Sequence, residues 1–149
     1  MQKLNLPDYT FRFKSSENKR HIFDGFRKKF VVLTPEEWVR QHILQFLHNQ
    51  YNYPKSLIAV EKQIKINGLI KRFDIVVFNT KGNVLLVVEC KAPEIEINQS
   101  TFDQIARYNM ALNASFLMVT NGLKHYFCQI DSFNEKYIFL PDIPKYSEF

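Results

Sequence analysis

Glycine is scarce in this sequence, four in 149 residues, and proline contributes only six. Collagen-like, low-complexity or broadly disordered organisation is thereby excluded, and the chain is long enough to bury most of its unfolded surface in one core. Cysteine is scarcer still. Cys90 and Cys128 are too few for a disulfide framework and lack any His/Cys spacing suited to zinc, so both read as reduced, buried thiols. No stretch approaches the ~18 uncharged apolar residues of a membrane span, and the start, Met1 to Asp8, has no apolar signal-like run. The expectation is one unit over 1–149, cytoplasmic and without membrane association.

What the chain does have is positive charge and aromatic rings. Twenty Lys and Arg stand against fifteen Asp and Glu, a net charge of +5, which favours polyanionic partners. Part of that charge is local: Lys14, Lys19, Arg20, His21, Arg27, Lys28 and Lys29 are interleaved with Phe11, Phe13, Phe23, Phe26 and Phe30. Phosphate contact combined with base stacking is one reading of this composition. A solvated hairpin with its rings turned into the core is the other.

Residues 9–14 and 26–33 read as short strands around a polar turn at 15–18, a β extension over 1–33. Thr34-Pro35-Glu36-Glu37 is a helix start, with Thr at N-cap, Pro at N1 and Glu37 closing a capping box. That helix should run from about 35 to 50, with Val39, Ile43, Phe46 and Leu47 on its inner stripe. Strand-like runs at 57–66, 70–78 and 84–90, separated by Asn67-Gly68 and by 79–83, form an antiparallel meander. The third run is apolar on both faces up to Glu89, which places it centrally beneath helices. A second helix fits 99–113, and the strand at 116–120 follows it through a crossover, hence parallel to the third. A last strand near 124–130 precedes a tail over 132–149, frayed from Pro141 onward. The expected class is α/β, an αβββαβ core over 34–131 with a central mixed sheet flanked by helices.

Side chains alternate along a strand, so Glu89 and Lys91 share a face at the end of the third run. Asp74 lies in the middle of an apolar strand, where a charge is costly unless it is paired or bound to a metal. Two carboxylates opposed across a hairpin suit a hard divalent cation such as Mg²⁺. Lys91 would then place or activate the nucleophile beside a scissile phosphodiester. A structural ion pair of Lys91 with Asp74 or Glu89 is the alternative.

Asp74, followed after a short hairpin by Glu89-Cys90-Lys91, resembles the D…ExK core of PD-(D/E)xK nucleases, with Phe73 where a Pro usually stands. Glu36-Glu37-Trp38-Val39-Arg40-Gln41, Arg72-Phe73-Asp74, Glu89-Cys90-Lys91-Ala92-Pro93, Gln104-Ile105-Ala106-Arg107-Tyr108 and Val119-Thr120-Asn121-Gly122 extend the likeness over roughly 34–128. In that order they resemble the N-terminal nuclease domain of type I restriction enzyme R subunits and its small free-standing relatives.

The resemblance implies a restriction-endonuclease-like fold and DNA hydrolysis dependent on Mg²⁺ or Mn²⁺, with Asp74 and Glu89 as ligands and Lys91 as the catalytic cation. It implies that Gln104 and Tyr108, a QxxxY pair on one helix face, position the nucleic-acid backbone or Lys91. A further carboxylate from the first helix, Glu36 or Glu37, would join the metal. Periodicity selects Glu36, in register with Val39, Ile43 and Phe46, since the capping box accounts for Glu37.

Arg40 and Arg72 are expected as buried cations balancing the acids, and Glu61 as a structural partner of Lys71 or Arg72. Nucleic-acid contacts are expected from Lys28, Lys29 and Arg72. His21, His42, His48 and His125 have no ligand spacing and read as surface or packing residues. No GxxxxGK[ST] phosphate loop occurs, so a helicase or another restriction-system subunit is a partner to look for, as is a second copy of the chain. A nucleic-acid-binding or assembly module with weak or absent cleavage is the rival reading.

Overall fold

The computed structural model describes residues 1–146. A small N-terminal sheet comes first, with β1 (Phe13–Ser16), β2 (Lys19–Asp24) and β3 (Lys29–Val32) antiparallel in that order. This corrects the expectation of two strands around a turn at 15–18. The turn is only Glu17-Asn18, both with positive φ (53° and 62°), and the polar run after it is a middle strand that buries only Ile22 and Asp24. Two buried positions in six residues are too short a period-two signal to stand out from basic neighbours.

Helix α1 (Pro35–Asn49) begins where its capping residues dictate. Thr34 Oγ1 accepts the Glu37 N–H at 3.0 Å, a cap that stabilises by about 1 kcal/mol. The Glu37 side chain does not return to close a capping box and turns to two arginines instead. The helix is buried on two sides. Val39, Ile43, Leu44 and Leu47 face the central sheet, while Gln41 and His42 lie under the N-terminal segment. There the Phe11 ring sits 5.6 Å from Trp38 and 5.0 Å from His42, and Trp38 Nε1 donates to the Gln2 carbonyl at 2.7 Å.

The central sheet has six strands: β4 (Ile58–Ile66), β5 (Leu69–Phe78), β6 (Val84–Cys90), β7 (Phe116–Thr120), β8 (His125–Asp131) and β9 (Lys136–Leu140). Asn67 and Gly68 close the β4–β5 hairpin with φ of 50° and 80°, the geometry that an Asn-Gly pair adopts readily. The β6–β7 pair is parallel and every other is antiparallel, because α2 (Gln99–Met110) carries the chain back across the sheet. Alternating residues feed two cores. Ile75, Val77, Leu86, Val88 and Met118 pack toward α1; Phe73, Val76, Val87, Leu117 and Val119 pack toward Phe102 and Ala106 of α2.

Helix α2 stops short of 113, ending in turns that bring Asn113 to a φ of 56°. The expected tail over 132–149 is also corrected. Lys136–Leu140 is β9, and its Tyr137 and Phe139 rings lie 5.2 and 4.9 Å from Phe102. Beyond Pro141 the chain remains anchored: Ile143 is buried, Tyr53 Oη donates to the Pro144 carbonyl at 2.6 Å, and the Tyr146 N–H donates to the Tyr51 carbonyl at 2.9 Å. The prolines suggested fraying, but aromatic packing decides the outcome. Residues 147–149 of that tail lie outside the described residues. Among the described residues, no helix is long and apolar enough to cross a membrane.

Candidate active site

Asp74 enters the site from β5 at a break in the ladder. Phe73 pairs with Lys62 and Ile75 with Val60, whereas Asp74 and Glu61 between them do not pair. Glu61 has a φ of 51°, a strained value for a residue other than glycine, and such strain gathers at functional sites. On the other side of β5, Ile75 pairs with Val88 and Val76 with Val87. Continuing that register by one residue sets Asp74 opposite Glu89. Asp74 Oδ2 accepts the Cys90 N–H at 2.8 Å, which draws the end of β6 onto the carboxylate.

Burial and the neighbouring Asp74 carboxylate push Glu89 up to about 8, with Lys91 pulling in the opposite direction. Glu36 is also raised, by burial first and then by Asp74. These like charges converge on one place, and Lys91 stands one pleat beyond Glu89. Glu89 and Lys91 line a cleft of about 370 Å³ together with Arg72, Gln104 and Tyr108. The α2 face carrying Gln104 and Tyr108 is therefore brought against the strand end that carries Glu89 and Lys91. Tyr108 is 41% exposed, with Lys71 Nζ 4.6 Å from its ring centroid.

Arg72 is exposed at the cleft mouth, so the expectation of a buried cation there is corrected; its strand face opens to solvent beside α2. Arg40 fulfils that role alone, 4% exposed, with Nη2 donating to Asp74 Oδ1 at 3.0 Å and to Glu36 Oε1 at 2.9 Å. Burial works against its charge, but Glu37 and Asp74 more than compensate and raise its pKa. Lys28 is exposed on the β2–β3 turn. Lys29 lines a separate groove of about 460 Å³ that runs past Phe30 and Thr34 to Glu36.

Two residues with simpler assignments turn out to be engaged here. Glu37 accepts both Nη2 bonds of Arg27, each 2.9 Å, and a bond from Arg40 Nη1 at 2.8 Å. Glu61 pairs with Arg27 at 3.3 Å and Arg40 at 3.7 Å rather than with Lys71 or Arg72. Arg27 is thus half-buried within an ion network, which removes it from the exposed basic stretch. Asp24 was the available signal, as the only carboxylate between residues 18 and 33. The Thr120-Asn121-Gly122 turn serves the site from below: Asn121 Nδ2 donates to the Ile95 carbonyl at 2.8 Å and ties down the loop that follows Lys91. Gly122 takes a φ of 85°, and a Cβ there would also press on Leu4 and Val39 at 2.8 and 3.1 Å, so the turn favours glycine.

Residues 35–144 match the family described as type I restriction enzyme R protein N terminus (HSDR_N). The chain belongs to this family. No curated protein matches it significantly. The HSDR_N match contains Glu36, Asp74, Glu89, Lys91, Gln104 and Tyr108 and leaves out Arg27 and the N-terminal sheet.

Within this HSDR_N chain, Asp24, Glu36, Glu37, Glu61, Asp74 and Glu89 gather around three cations, Arg27, Arg40 and Lys91. Among the described residues, no three His, Cys, Asp or Glu side chains stand as a ready coordination cluster. Asp74 nevertheless keeps acceptor capacity, since it accepts from Arg40, from the Cys90 N–H and from Glu89 in its protonated form, and an ionised carboxylate accepts about four in all. A larger hollow of about 570 Å³ lies beside α2 around Asp103, Arg107 and Tyr137. Glu135 lines it too, but its Asp103 is bonded to Tyr137 and Gln99, and none of Asp74, Glu89 and Lys91 lines it.

Proposed function

We propose that this chain is a metal-dependent nuclease domain of the PD-(D/E)xK type, hydrolysing DNA phosphodiester bonds with Mg²⁺ or Mn²⁺. The observation that carries the reading is the opposition of Asp74 and Glu89 at a strand end whose next inward-facing residue, Lys91, lines a cleft with Gln104 and Tyr108. The order α1-β4-β5-β6-α2-β7 around a mixed sheet supports a restriction-endonuclease-like core, and the family match supports a place in a restriction system.

The residues fit a divalent cation on charge. Carboxylates outnumber cations, and Glu89 is raised to about 8 by burial and by Asp74, an excess that a hard cation with oxygen ligands relieves. Asp74 and Glu89 would hold it, with Glu36 as auxiliary. When bound, it supplies Lewis-acid charge at the phosphate and an acidified water. Lys91 orients the nucleophile and offers its ammonium to the developing charge. Gln104 and Tyr108 hold the nucleic-acid backbone across the cleft, and Arg72 meets a phosphate at its mouth. Lys28 and Lys29 extend that contact along the groove that ends at Glu36. DNA is the partner, in the cytoplasm, delivered by a helicase or another restriction-system subunit or gripped by a homodimer.

A second reading has one observation in its favour: Arg40 already bonds Asp74 and Glu36. With that cation permanent, the same surface would bind nucleic acid without cutting it. Cleavage of plasmid, linear and single-stranded DNA with Mg²⁺, Mn²⁺ or EDTA separates the two readings. Metal-dependent products that vanish in Lys91→Ala support the nuclease; DNA retention with no products in any metal selects the binding module.

A further inference from the structure

The turn between β2 and β3 is built to aim one arginine inward. Asp24, fully buried, accepts the N–H groups of Phe26 and Arg27 on Oδ1 at 2.7 and 2.8 Å, and Arg27 Nε on Oδ2. Lys28 then takes a φ of 56° and returns the chain into β3. From this mount Arg27 reaches Glu37 with both carboxylate oxygens engaged, and Glu61 with its other terminal nitrogen. Glu37 passes on to Arg40, and Arg40 to Asp74 and Glu36. Gln41 braces the chain sideways, its Nε2 donating to Asp24 at 3.0 Å and to Glu37 at 3.1 Å. The links are mostly charge-assisted and at least part-buried, and those of Glu37 with Arg40 and Gln41 are buried, so solvent and salt screen them less than surface pairs.

We propose that Arg27 is a positioning residue of the carboxylate site: through Glu37 and Arg40 it fixes Asp74 and Glu36, so the N-terminal sheet completes the site. The inference rests on the nuclease reading of Asp74, Glu89 and Lys91, and it assigns a role to a residue outside the matched span 35–144. Arg27 lines the Lys29 groove, but its side chain is 14% exposed and Nε, Nη1 and Nη2 are all bonded to carboxylates, so its charge is directed inward. Three partners in three directions call for a planar guanidinium, which lysine cannot imitate. Competition for Arg40 gives the mechanism. With Arg27 present, Glu37 shares two cations and Arg40 is free to extend to Asp74. Without Arg27, Glu37 draws Arg40 to itself, and Asp74 and Glu36 lose the donor that orients them.

The test uses the full chain carrying Arg27→Gln, with Arg27→Lys as the variant that keeps charge and carries the test should Arg27→Gln not fold. Mn²⁺ affinity, read by calorimetry, should fall about tenfold in both, as it does when groups supporting metal ligands are removed. Cleavage should lose a similar factor in kcat with KM for DNA unchanged, and excess Mn²⁺ should recover part of it. In EDTA, a double-mutant cycle of Arg27→Gln with Asp74→Asn should give melting losses that do not add. A purely structural Arg27 would lower the melting temperature yet leave Mn²⁺ affinity and kcat of the folded protein intact; that result, or an additive cycle, overturns the proposal. A wild type that neither binds Mn²⁺ nor cleaves sinks the nuclease reading instead, and the cycle then decides the Arg27 to Asp74 coupling by itself.

Discussion

Arg40 donates to Asp74 at 3.0 Å from the same nitrogen that holds Glu36 at 2.9 Å, so one guanidinium ties the first helix to the acid of β5. Removing one partner of a buried ion pair leaves the other charge without compensation. Arg40→Met should therefore destabilise the fold by about 3–5 kcal/mol. Urea unfolding measures it, and adding Asp74→Asn to Arg40→Met should recover part of the loss. A loss no larger than that of a surface pair would mean that water, not Arg40, balances Asp74.

Glu89 holds its proton more tightly in the folded chain than in the unfolded one, where its value is the ordinary 4.5 rather than about 8. The folded state thus binds more protons across that window, and stability is fully present below it and declines as pH rises through it. Thermal unfolding in EDTA should show a melting temperature that falls from roughly pH 5 to pH 8. Glu89→Gln should flatten the profile. Parallel profiles for the two proteins would assign the pH dependence to other groups.

Divalent metal should reverse that decline. A ligand that binds only the folded state at about 100 times its Kd adds roughly 2.7 kcal/mol, so Mn²⁺ should raise the melting temperature at pH 8. Asp74→Ala should abolish the rise, and by relieving repulsion of Glu89 it limits the damage to the metal-free protein. An undiminished Mn²⁺ response in Asp74→Ala would place the metal elsewhere.

Lys91 acts on the nucleophile or on transition-state charge rather than on ground-state affinity. Lys91→Ala should cut cleavage by roughly 10²-fold or more with little change in DNA binding, and Gln104→Ala should show a smaller loss of the same kind. Gel-shift affinities measured beside initial rates separate the two effects; equal rates in wild type and Lys91→Ala would end the catalytic assignment.

Lys14 and Lys29 are exposed on the N-terminal sheet. If both meet phosphates, neutralising them should flatten the slope of log affinity against log salt by about two units at most. Fluorescence anisotropy between low and physiological salt reads the slope, and an unchanged slope assigns both lysines to a solvated face.

Most of the central sheet was legible because its signals are local: Thr34-Pro35 for the start of α1, Asn67-Gly68 for a hairpin, and an apolar run for the central β6. Period two sets Glu89 and Lys91 on one face, and the hairpin register sets Asp74 opposite Glu89. The residues that steady them were not legible. Glu37 had a sufficient local explanation in the helix cap, and Arg27 was one cation among several; only the fold brings the two within 2.9 Å. β2 and β9 were missed for a similar reason, since their inward residues find partners far along the chain, Phe102 for Tyr137 and Gln41 for Asp24.

The meander also has a kinetic side. β4, β5 and β6 are joined by connections of two and five residues, at 67–68 and 79–83, whereas β6 and β7 are separated by the 25 residues from 91 to 115. Short closures lose least chain entropy and come early, so the two hairpins set Asp74 against Glu89 ahead of longer-range assembly. The chain thus gathers the two carboxylates with Lys91 first and the Arg40 counter-charge later, and a proton shared between those two carboxylates at mildly acidic pH should hasten refolding.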